Sequence, residues 1–83
     1  MEVAVPDRSK IEARLVKLDF LIRRAEDLVL QQSKLVMRLH SSGKSPDSAE
    51  ALLDLYCQSW KLLQEVRRRV YRDFLRSGNG GGH

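Results

Sequence analysis

Between Ile11 and Leu39, apolar residues recur at alternating steps of four and three: Ile11, Leu15, Leu18, Ile22, Ala25, Val29, Gln32, Val36 and Leu39. Only Gln32 breaks the apolar rule, and no Gly or Pro interrupts the run. This is an a/d heptad seam, the pattern of a helix packed lengthwise on another helix. A second long helical pattern follows Pro46. Its main apolar face reads Ala49, Leu52, Tyr56, Leu63, Val70 and Phe74. Leu53, Trp60 and Tyr71 flank one side of that face, and Leu55, Leu62 and Val66 flank the other.

The boundaries follow from local chemistry. Residues 1–6 read as a flexible N-terminus. Asp7, or Ser9 with Glu12 three residues on, supplies a cap for a first helix over about 8–40. Ser41-Ser42-Gly43-Lys44 breaks that helix, with Gly43 as the left-handed residue. Ser45-Pro46-Asp47-Ser48-Ala49-Glu50 is a start signal in two registers. Either Ser45 caps with Pro46 at the first helical position, or Asp47 caps with Glu50 reaching back. The second helix is expected over about 47–76, ended by Gly78, with residues 77–83 as a flexible Gly-rich tail. Two long helices joined by a loop at 41–46 make an all-α antiparallel two-helix hairpin over residues 7–76. Residues in contact then sum to about 87, which sets Ala25 opposite Trp60 and Leu63.

A hairpin alone leaves too much apolar surface. Helix 1 carries a second stripe, Leu21, Leu28 and Leu35, beside its seam. A two-helix contact buries one stripe per helix, so these leucines and Leu55, Leu62 and Val66 need another cover. Each forfeits about 1.5–3 kcal/mol if left in water. The expectation is a homodimer closed into a four-helix bundle, with the hairpin docked on a different protein as the alternative.

Composition narrows the class. With 42% hydrophobic and 31% charged residues, the 83-residue chain is a single folded domain and not a disordered segment. No apolar run approaches the roughly 20 residues needed to span a bilayer, and the start of the chain lacks a signal-peptide pattern. Cys57 is the only cysteine. A disulfide framework is therefore ruled out, and the expected location is cytoplasmic. The net charge is +4, but it is unevenly placed. Residues 1–24 (six basic, four acidic) and 61–83 (six basic, two acidic) give the open end +6, whereas residues 25–60 carry −2.

Candidate contact residues fall into three groups. Val16 and Phe20, one turn apart and followed by Arg23 and Arg24, form an apolar pair flanked by arginines, the composition of a small protein-contact epitope. Lys61, Arg67, Arg68, Arg69, Arg72 and Arg76 crowd the end of helix 2, beside the basic start of helix 1, and suit phosphates. Leu21, Leu28, Leu35, Leu55, Leu62 and Val66 are the self-association set. Two polar residues sit within the apolar pattern. Gln32 reads as a register-fixing layer near Tyr56 and Ser59. Arg67 reads as a paired arginine, with Asp19 opposite and the Tyr71 ring one turn on. Cys57 reads as a small core residue, His40 as a cation favoured at a helix C-terminus, and Glu26-Asp27 as solvated surface.

No metal-ligand spacing, Gly-rich phosphate loop or Ser/His/Asp set is present, so no catalytic, cofactor or metal residues are assigned. The leading expectation is a non-enzymatic interaction or regulatory module, a homodimer that presents a helix face to a protein partner. The alternative is a small basic nucleic-acid-binding regulator using the Arg-rich end of helix 2 with the start of helix 1. An anion-binding enzyme using Arg67 and Gln32, and a membrane-surface helix, rank below these.

Overall fold

The computed structural model describes residues 8–80: two helices, α1 (Arg8–Ser41) and α2 (Asp47–Gly80), packed against each other as a hairpin. The expected loose lead at 1–6, the cap at Asp7 and the last tail residues, 81–83, lie outside the described residues. No helix among the described residues is long and apolar enough to cross a membrane.

The hairpin is a rod of 66 × 19 × 15 Å. Its radius of gyration is 18.8 Å, against about 12 Å for a compact chain of this length. The α1 seam is what the heptad spacing predicts. Ile11, Leu15, Ala25 and Val36 are buried, and Leu18, Ile22, Val29, Gln32 and Leu39 are half-buried.

The α2 seam differs from the expected face. Its half-buried residues include Ala49, Leu53, Tyr56, Trp60, Leu63, Arg67, Val70, Phe74 and Ser77, the same alternation of four and three as on α1. Leu53 and Trp60 are therefore seam residues and not flanks, while Leu52 turns outward at 38% exposure. The physical reason is drift. A face laid out at a fixed 100° per residue rotates about 20° per heptad away from a seam of period 3.5, so neighbours such as Leu52 and Leu53 exchange roles.

The turn is built by its backbone. Gly43 has φ +75°, and the α1 end is closed by two bonds. The Gly43 amide donates to the His40 carbonyl (3.1 Å) and the Lys44 amide to the Leu39 carbonyl (2.9 Å). That pair of bonds is a Schellman cap. Pro46 then opens α2, its carbonyl accepting from the Glu50 amide at 2.8 Å. Of the two start signals, Ser45 is the one whose hydroxyl reaches a backbone amide, that of Asp47 at 3.5 Å. Gly78 does not end α2, which continues to Gly80. Glycine weakens a helix by about 1 kcal/mol relative to alanine but forbids nothing. At the turn, by contrast, Gly43 takes a left-handed backbone that closes α1.

Candidate functional site

The polar members of the seams are already engaged. Gln32 donates from Nε2 to the Ala49 carbonyl at 3.0 Å. The bond goes to backbone nearer the loop than Tyr56 and Ser59, the residues expected near Gln32, because a long amide side chain reaches beyond the residue opposite its own Cα. Arg67 donates from Nε to the Asp19 carboxylate, and its guanidinium lies 5.8 Å from the Tyr71 ring centre, the two partners expected for it. The hydrogen bond to Asp19 holds the Arg67 pKa above its ordinary value, outweighing the opposing effect of burial. Both side chains of this pair remain substantially exposed, 37% and 55%, so the pair fixes register more than it adds stability. Arg67 is thereby set apart from its neighbours: Lys61, Arg68, Arg69, Arg72 and Arg76 are all exposed, and none forms an ion pair among the described residues.

The aromatic residues at the open end extend this arrangement. Tyr71 and Phe74 stack with ring centres 6.2 Å apart, and the Arg8 guanidinium sits 4.4 Å from the Phe74 ring centre. Contacts of this kind tie the first turn of α1 to the end of α2.

The apolar set predicted for self-association is uncovered in the hairpin: Leu21 36%, Leu28 39%, Leu35 36%, Leu55 58%, Leu62 64% and Val66 37% exposed. The two helices share this face. Leu21 and Val66 line one open groove together with Leu18, Val70, Arg14 and Lys17.

Val16 and Phe20 are exposed on α1, at 70% and 59%. Arg24 lies over the Phe20 ring, 5.9 Å from its centre, and Arg23 is exposed. Phe20 and Leu28 line the same groove. The Phe20 patch and the leucine stripe are thus continuous around α1, where the sequence suggested two separate features.

A third apolar strip was missed. Leu30 and Met37 stand 59% and 66% exposed. Leu30 borders a groove with Glu26, Val29 and Trp60, and the Trp60 indole N–H is buried with no acceptor among the described residues. The signal was the seven-residue spacing from Leu30 to Met37, the same spacing that marks Leu21, Leu28 and Leu35.

Near the loop, His40 Nε2 is 3.4 Å from a Glu50 carboxylate oxygen, which joins the last turn of α1 to the first turn of α2. Cys57 is a free, half-buried thiol. Among the described residues no three His, Cys, Asp or Glu side chains converge on a common point. No family model matches this chain, and no curated protein or solved structure shows significant similarity to it.

Proposed function

We propose that this chain is a non-enzymatic interaction module. It pairs with a second copy into a four-helix bundle and presents the Val16–Phe20 face of α1, with Arg23 and Arg24, to a protein partner. The observation that carries this reading is the uncovered leucine face, to which both helices contribute. Among the described residues only Ile11, Leu15, Ala25 and Val36 are buried. A core this thin is characteristic of small helical chains that complete themselves by association. The lone Cys57 suits a reducing compartment, and we place the module in the cytoplasm.

The test is a photo-crosslinking residue at position 20 in living cells. The proposal expects adducts with a different protein while the chain itself stays dimeric. Adducts with the chain alone would place Phe20 inside the self-contact and refute the partner face.

A second reading, a nucleic-acid-binding regulator, is favoured by one observation. Lys61, Arg68, Arg72 and Arg76 are exposed along α2 with no ion pairs among the described residues. Four phosphate contacts would make affinity for duplex DNA fall about 10²-fold between 50 and 200 mM salt. Replacing Arg68, Arg72 and Arg76 with Gln should abolish such binding with helicity unchanged. Affinity that does not change with salt would remove this reading.

A further inference from the structure

The leucine face says more than that a second copy covers it. We infer that the second copy lies antiparallel, with its loop beside the open end of the first. The inference rests on the dimer proposed above and adds its orientation.

The surface to be covered spans both helices: Leu21, Leu28 and Leu35 on α1 and Leu55, Leu62 and Val66 on α2 are each at least 36% exposed. The exposed face is two helices wide, which a single docked helix does not match. A second hairpin does.

A twofold contact requires a face that complements itself. The stripe on α1 is symmetric about Leu28, with Leu21 and Leu35 seven residues to either side. On α2 the set Leu55, Leu62 and Val66 is centred near residues 60–61. The two helices bring these centres to the same height. The Asp19–Arg67 bond, the Leu21–Val66 groove and the Trp60 groove at Glu26 to Leu30 all align residues whose numbers sum to between 86 and 90. The face therefore meets apolar surface whether the copy is parallel or reversed, and packing leaves the choice to charge.

Charge decides it. The open end carries +6 and the loop half −2. Arg14 and Lys17 border the groove at Leu21 and Val66. In a parallel pair they meet the same basic groups of the second copy. In an antiparallel pair they meet its loop half, which carries −2 where the open end carries +6. Packed helices stand 8–10 Å apart, about one Debye length at physiological salt, so the repulsion between two basic ends is not screened away.

The experiment places one spin label per chain at the turn, as Lys44→Cys in a Cys57→Ser background, and measures the distance between labels in the dimer. Lys44 lies sixteen residues beyond the centre of symmetry at Leu28. The antiparallel pair therefore separates the labels by about 50 Å, and a parallel pair brings them within about 25 Å. A short distance in a dimer overturns the orientation and leaves the dimer standing. A chain that is monomeric at all concentrations removes the reading on which the orientation rests. The unlabelled native chain gives a second measurement. Lowering the salt from about 0.5 M to about 0.05 M should leave dimer affinity unchanged or tightened, and a weakened dimer at low salt would contradict the antiparallel arrangement.

Discussion

Leu62 is the most exposed member of the leucine face, at 64%, and its replacement by Gln tests the role assigned to that face. Leu and Gln have nearly equal helix propensity, and an exposed substitution ordinarily changes stability by less than about 0.5 kcal/mol. The isolated hairpin should therefore tolerate the change. The dimer should not. Roughly two thirds of the side chain is left for the second copy to bury, which at about 1.5–3 kcal/mol for a whole leucine amounts to about 1–2 kcal/mol. A twofold interface contains the residue twice, so the loss is about 2–4 kcal/mol, or roughly a 30- to 700-fold weaker Kd. Sedimentation equilibrium gives the Kd, and far-UV circular dichroism gives the helicity. Leu30→Gln is the matched control: Leu30 is 59% exposed, but it lies two residues, about 200°, around α1 from Leu28. The reasoning is refuted if Leu62→Gln leaves the Kd unchanged, or if Leu30→Gln weakens the dimer as much.

Other perturbations test the hairpin itself. Gly43 has φ +75° with open space where a Cβ would stand, so Gly43→Ala should cost only the left-handed backbone strain of about 1–2 kcal/mol. Gly43→Asn should cost less, and equal chemical-denaturation midpoints for the two would contradict the cap. Arg67→Met should leave the melting temperature unchanged or raised, because the methionine packs in the seam and Asp19 keeps its access to water; a loss above about 2 kcal/mol would show the pair to be a main support of the fold. Gln32→Ala should cost about 1 kcal/mol through its lost bond to the Ala49 carbonyl, read from the same denaturation curves. A neutral result would mean that the bond does not persist in solution.

Much of this arrangement is legible in the order of residues. The nine α1 seam positions stand out because their four–three spacing runs unbroken from Ile11 to Leu39, although Val16, Leu21, Leu28, Leu30, Leu35 and Met37 each stand beside a seam residue. Asp19 follows as the partner of Arg67 from the length of the connection alone, since antiparallel helices joined by a short loop have contacting residues of nearly constant sum. The α2 seam is harder to read. Leu52 beside Leu53 and Leu62 beside Leu63 each offer two candidates for one inward position, and Arg67 places a charge where the rhythm calls for an apolar residue. Only the drift of the helix against its partner decides between them. The Ala49 carbonyl as the acceptor for Gln32 was not legible for another reason: pairing of Cα positions does not say how far an amide reaches along the groove. The end of α2 was set too early because a glycine weakens a helix without forbidding it, whereas Gly43 ends α1 through its left-handed backbone.

The solution mass bears most directly on the central claim that the leucine face is covered by a second copy. Light scattering over a dilution series should give twice the 9.6 kDa chain mass at high concentration, falling toward one chain only on dilution. A mass of 9.6 kDa at every concentration would contradict the claim and leave Leu21, Leu28, Leu35, Leu55, Leu62 and Val66 as a surface for a different protein.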